Sequence, residues 1–328
     1  MKRSLLVLFA VLLGVTSYAQ ETFVIKIATV APEGSVWMKV MNKLKKTLER
    51  KSNGRIKLKF YPGGVLGDDK VVINKMKLGQ VQAAGLTGVG LGSLVPEVRI
   101  MEAPFQFDSY RQYDCVLKKL RSRFEKALED KGFVVLGWAD QGFVYLMSKK
   151  KIDSAQAMKG TTPWVWEADP LAKAAFKAFG INPVPMALQD VFNGLQTGMI
   201  DTVYISPIAA IALQWYTKVK YIADVPIVDG LGAFVISKAY LDKMPQDLRD
   251  LLLKKTRKYL RVLVKITRKT NDKSLRVLQK RGLTLLEPTA QQKQAFRKTG
   301  LKAARSLIGK LYPKALFDEF TGLLDQCK

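Results

Sequence analysis

Apolar residues recur along the chain with two different periods, and the switching between them predicts an alternation of strands and helices. Phe23 to Thr29 alternates and predicts a strand; Val36, Val40, Leu44 and Leu48 keep helical spacing within Ser35 to Lys51, where Asn53-Gly54 stops the helix. Arg55 to Phe60 predicts a second strand, followed by a Pro62-Gly63-Gly64 turn, a helix near Asp68 to Leu78 and a short apolar strand at Val81 to Leu86. Leu136 to Met147 predicts a long extended stretch leading out of this first unit. Beyond it, Thr161 to Trp166, Asp169 to Phe179, Gln189 to Thr197 and Ile200 to Tyr204 repeat the alternation. Ala233 to Ser237 predicts a strand returning to the first unit, and a helical pattern then runs from Pro245 to about Arg281. A helix of roughly 36 residues would span about 54 Å, too long for one lobe, so it is expected to bridge two.

This order of elements predicts an α/β fold with largely parallel sheet, divided into two lobes. The expected division assigns residues 22–141 and 230–269 to lobe I, residues 142–229 and 270–310 to lobe II, and residues 311–328 to a C-terminal helix. A chain that crosses between lobes more than once makes a hinged clamp, whose closure is a domain motion. Residues 1–19 are expected to be a signal peptide: Lys2 and Arg3, the apolar stretch Leu5 to Val15, then Ser17-Tyr18-Ala19 as a cleavage site. That apolar stretch is about half of the roughly 20 residues needed to cross a bilayer. No Cys follows it, so no lipid anchor is expected, and the mature chain is expected free in the periplasm.

A hydrophobic fraction of 48% excludes a disordered chain. The chain has no histidine, which removes Ser-His-Asp and Cys-His arrangements and the usual zinc sets. Asp140 with Ser148 or Ser206 could be nominated for an enzyme, but no spacing links them. Neither a catalytic residue, a metal ligand nor a cofactor is expected. Lys and Arg number 54 against 28 Asp and Glu. Such an excess suits nucleic acid or an anionic membrane surface, yet the cations are spread along helices such as Lys254 to Arg281, which also fits ordinary solvated faces. Nucleic acid is not expected as a partner. Cys115 and Cys327 allow one disulfide, and the sequence leaves open whether they pair.

The segment Lys51-Ser52-Asn53-Gly54-Arg55-Ile56, with Tyr61-Pro62-Gly63-Gly64 and Leu66-Gly67-Asp68, resembles the opening of the solute receptors of tripartite ATP-independent periplasmic (TRAP) transporters. Further likenesses follow in order: Leu94-Val95-Pro96-Glu97, Ala103-Pro104-Phe105, Met158-Lys159-Gly160, Gly180 to Met186 and Leu195 to Asp201. The resemblance implies a two-lobe periplasmic binding fold, one ligand site in the cleft, and docking onto large and small membrane permease subunits. It also admits a helical-repeat periplasmic protein as an additional partner.

One departure matters for the ligand. Family members carry an arginine that grips the ligand carboxylate where this chain has Trp164, and a second arginine where it has Val144. A carboxylate closed into a dry cleft without a partner costs about 3–5 kcal/mol. No replacement cation is evident beside Trp164. Strand alternation puts Trp166 on the same face, and Tyr204 replaces a family carboxylate. Phe143, Val144, Trp164, Trp166 and Tyr204, with Trp37, Thr87 and Ser206, are therefore the candidate ligand-binding residues. Burying about 200 Å² of ligand hydrocarbon there would contribute roughly 5 kcal/mol. The bland alternative is that the tryptophans, Trp37 included, only fill cores. The expected ligand is apolar or aromatic, ahead of an organic acid held by another cation and of a cationic ligand stacked on indoles. A scaffold protein with a self-filled cleft is the reading furthest from these.

Overall fold

In the computed structural model, which describes residues 21–167 and 169–328, the chain builds one lobe, crosses to a second and returns. The expected signal peptide lies outside the described residues. The first lobe runs β1 (Phe23–Thr29), α1 (Val36–Lys51), β2 (Ile56–Tyr61), α2 (Asp69–Lys77), β3 (Ala83–Thr87) and α3 (Gly88–Leu94). A 3-10 segment, Pro96–Glu102, then leads to α4 (Tyr110–Asp130) and the long strand β4 (Phe133–Ser148). The second lobe holds β5 (Trp164–Trp166), α5 (Pro170–Ala178), β6 (Val184–Met186), α6 (Val191–Thr197), β7 (Thr202–Ile205), α7 (Pro207–Ala212) and β8 (Tyr221–Ala223). The chain then continues through β9 (Val228–Ser237), α8 (Lys238–Leu241), α9 (Gln246–Lys280), β10 (Thr284–Leu286), α10 (Ala290–Arg305) and α11 (Lys314–Gln326).

Local chemistry sets these bounds. The Ser35 side chain accepts from the Met38 N–H and starts α1, whose buried face is Met38, Val40, Met41, Leu44 and Leu48. The expected strand Thr161 to Trp166 shortens to Trp164–Trp166: the Thr161 N–H turns back to the Met158 carbonyl, and Pro163 has no N–H to offer a ladder. At 35 residues, α9 is as long as its periodicity predicts. Its inner stripe is apolar at Leu248, Leu252, Leu260 and Leu263, broken by Thr256, then turns polar at Thr267, Asn271 and Ser274, where the helix passes from one lobe to the other.

The sheet is mixed, which corrects the expectation of largely parallel strands. β2, β1 and β3 are parallel, but β9 lies antiparallel between β3 and β4. The far half of β4 then pairs antiparallel with β7 and β8, while β5 and β6 are parallel. Hydrophobic periodicity carries no strand direction, so the crossing strands β4 and β9 could not be oriented from the pattern. Because β4 belongs to both lobes, its irregularity marks the hinge: pairing with β9 shifts between Asp140 and Phe143. Gly142 at that shift has φ +75°, and a Cβ there would sit 2.7 Å from Asn271 Nδ2. Asn271 spans the crossing by donating to the Phe143 carbonyl and accepting from the Ile208 N–H.

The first lobe's core extends under α4 and α11, where Tyr113, Leu120 and Phe124 pack with Leu316, Phe317 and Phe320. Cys115 on α4 and Cys327 just beyond α11 are joined as a disulfide, which answers the question the sequence left open.

Candidate functional site

Between the lobes lies a cavity of about 280 Å³. Ligand pockets begin at about 300 Å³, so its size suits a small molecule. Trp37, Thr87, Val144, Trp164, Trp166, Tyr204 and Ser206 all line it. Phe143 does not: it points to the other side of β4 and stacks on Tyr110 with ring centroids 4.4 Å apart, a correction that follows from strand alternation, since its neighbour Val144 faces the cavity.

The aromatic wall belongs mostly to the second lobe. Trp164 is 1% exposed, stacks on Tyr204 at 5.2 Å, and meets Trp166 at 5.4 Å and Trp215 at 5.3 Å. Its indole N–H donates to the Met186 carbonyl at 3.0 Å, so the buried polar atom is satisfied and the rest of the ring acts as hydrocarbon. Trp164 both packs in the second lobe's core and lines the cavity. Opposite it, Trp37 is half-buried and fits because Gly85 has no side chain; a Cβ there would lie 2.7 Å from the indole. Phe105 completes the floor at φ +63°, with its N–H bonded to the Ile227 carbonyl and its ring against Phe296 and Phe179.

The sequence reading missed the cation of this cleft. Arg99 lines the cavity but is engaged by two carboxylates. Its terminal nitrogen donates to Asp169 Oδ1 at 3.0 Å, and its Nε lies 2.9 Å from Glu102 Oε2, off the line of a hydrogen bond. Asp169 also caps α5 by accepting from the Leu171 and Ala172 N–H groups, and takes the Tyr204 hydroxyl at 3.4 Å. Glu102 accepts from the Leu231 N–H, and a Cβ on Gly88 would overlap its carboxyl group. Burial works against the charge on Arg99, but Asp169 and Glu102 outweigh it and hold its pKa raised. One guanidinium does not serve two acids equally: burial pushes the Glu102 carboxyl up to about 7, with Arg99 opposing the rise and Asp169 adding to it. Seventy positions separate Arg99 from Asp169, so no local spacing links them. The usable signal was an Arg and a Glu three apart in an otherwise apolar segment, Val98 to Phe105.

A second charged group, running from the buried Asp140 and Asp229 out to the exposed Asp114, sits beside the crossing strands. Arg268 on α9 donates to Asp140 at 2.9 Å, grips Asp114 through two bonds of 2.7 Å, and lies 4.5 Å over the Tyr110 ring. Asp229, fully buried, stands 3.5 Å from the same guanidinium. Burial raises the Asp140 carboxyl to about 6 and Asp229 well above the ordinary range. Of the polar atoms near the cavity, the Ser206 hydroxyl is buried without a partner among the described residues, and the Thr87 hydroxyl is already given to Asp69 at 2.5 Å.

Two lobes joined by crossing strands, with an apolar cleft at the hinge, define a clamp-type binding protein. Residues 27–309 match the DctP profile, described as bacterial extracellular solute-binding protein, family 7, and the chain belongs to that family. It is a solute receptor and not an enzyme. A solute-binding protein of Verminephrobacter eiseniae is 26% identical over 311 residues, covering 89% of this chain and 90% of its own. The C4-dicarboxylate-binding periplasmic protein of Rhodobacter capsulatus is 26% identical over 280 residues, covering 84% of each chain. Among solved structures, a sugar acid binding protein from Advenella mimigardefordensis in complex with galactonate superimposes with TM-score 0.88 at 21% identity, covering 94% of this chain and 99% of that one. A TRAP periplasmic solute-binding protein from Sulfurospirillum deleyianum with bound succinate gives 0.86 at 21%, covering 92% and 99%.

Proposed function

We propose that this receptor works in the periplasm and captures a small, uncharged, largely apolar or aromatic molecule between Trp37, Trp164, Trp166 and Tyr204, with Val144 beside them and Ser206 as a polar handle. It then delivers that molecule to the large and small permease subunits of a TRAP transporter. The single observation that carries the reading is the state of Arg99: among the described residues that line the cleft it is the one Lys or Arg, and Asp169 and Glu102 already hold it. A ligand carboxylate would have to displace Asp169, which is also fixed as the cap of α5. Opening such a buried pair costs about 3–5 kcal/mol, or roughly two to four decades of affinity.

The organic-acid reading keeps one support, the names of relatives that bind a C4-dicarboxylate, galactonate or succinate. None of the relatives named above mentions a helical-repeat partner, and the proposed assembly is receptor plus permease. Titration followed by tryptophan fluorescence separates the two ligand classes, because indoles line the cleft. Saturable quenching by small neutral aromatic compounds, with no response to succinate or galactonate, is expected. Saturable binding of either acid would overturn the reading.

A further inference from the structure

The outer face of α9 carries a row of cations that the cleft does not use. Lys254, Lys258, Arg261, Lys265, Lys269 and Lys273 are all exposed and recur every three or four residues, so they stand along one side of the helix. At 1.5 Å per residue they cover roughly 28 Å. Among the described residues none of the six enters an ion pair; the paired arginines of this helix are Arg249, near its start beside Asp242, and Arg268, which points inward. Val262 and Ile266 stand exposed among them. The neighbouring helix α1, joined to α9 by a 2.6 Å hydrogen bond between the Thr47 and Tyr259 hydroxyls, adds exposed Lys39, Lys43, Lys46 and Arg50.

An ordinary solvated helix face mixes acids with bases at i,i+4, because like charges at that spacing repel. Here α9 carries no acid between Asp250 and Asp272, both exposed, so the repulsion is left uncompensated along the middle of the row, and Glu49 is the exposed acid on α1. We propose that this face of α9 and α1 binds the surface of an anionic phospholipid bilayer. The cations match lipid phosphates spread in a plane, and Val262 and Ile266 are placed to enter the interfacial layer, the combination that marks a surface-lying basic helix. The face is one long helix beside a second, which gives an extended surface that suits a flat partner. Held there, the receptor would search for its permease in two dimensions. The inference is independent of which ligand the cleft takes.

Co-sedimentation of the purified chain with vesicles tests it. Vesicles of phosphatidylglycerol with phosphatidylethanolamine are compared with phosphatidylcholine vesicles, at low salt and at about 0.5 M salt, where screening reaches within a few ångströms. The variant Lys258→Glu/Arg261→Glu/Lys265→Glu/Lys269→Glu removes the row. Lys298→Glu/Lys302→Glu/Arg305→Glu/Lys310→Glu makes the same charge change at exposed positions on and just after α10. Unchanged circular dichroism shows that each variant is folded. The expected result is binding to the anionic vesicles alone, lost at high salt, weakened at least about tenfold by the α9 variant and under about threefold by the α10 variant. Equal loss in both variants would reduce the effect to net charge and overturn the proposal. So would wild-type chain that ignores anionic vesicles, including one that binds isolated permease subunits in their place.

Discussion

Replacing Glu102 by Gln separates a stabilising ion pair from a second acid tolerated beside an arginine already in use. Glutamine keeps the shape that Gly88 leaves room for and the acceptor for the Leu231 N–H, bonded at 3.1 Å, and removes only the charge. The Glu102 carboxyl is raised from 4.5 to about 7. At about 1.4 kcal/mol per pKa unit, that shift corresponds to about 3 kcal/mol. Since the folded-state value lies above the unfolded one, this stability is fully present below about pH 4.5 and is lost as pH rises through about 7. Urea unfolding of wild type and variant at pH 5 and pH 8.5 reads the effect. The two should agree at pH 5, and the variant should be more stable by about 1–3 kcal/mol at pH 8.5. A variant less stable by about 3–5 kcal/mol at pH 8.5 would mean that Arg99 depends on Glu102. Asp169 alone would then not satisfy the arginine.

Trp164→Leu should lower the affinity for the bound molecule at least about tenfold and the stability by about 1–3 kcal/mol, read by fluorescence titration and urea unfolding, because it strips the ring that stacks on Tyr204. Gly142→Ala should cost at least about 1 kcal/mol in thermal unfolding, since the new methyl group meets Asn271 at a φ of +75°; no loss would place the hinge elsewhere. Cys115→Ser/Cys327→Ser should lower unfolding free energy by about 2–4 kcal/mol by freeing a 212-residue separation in the unfolded chain. Its ligand affinity should stay unchanged, because the disulfide lies away from the cleft.

Elements with a strong period were legible in sequence: α1 and α9 end within a residue or two of where their spacing and stop signals place them, and β1 matches its alternation. Strand direction was not, because a period of two reads the same both ways, and β9 inserts antiparallel between β3 and β4. The aromatic side of the cleft was legible because a substitution, Trp164 for arginine, stood out within a resembling motif. The polar side was hidden for a different reason. Arg99 and Asp169 are brought together by the crossing of two lobes, and neither residue type at its own position signals the other. Phe143 was misplaced because it was grouped with its neighbour Val144, although successive residues of a strand point to opposite faces and only Val144 reaches the cavity.

Native mass spectrometry of the purified receptor, followed by denaturation and identification of what it releases, tests the nature of the ligand most directly. The account predicts an uncharged, largely apolar or aromatic molecule in about equimolar amount, small enough for a cavity of about 280 Å³. Release of a dicarboxylate or a sugar acid would contradict it, and would show that Asp169 yields Arg99 to the ligand.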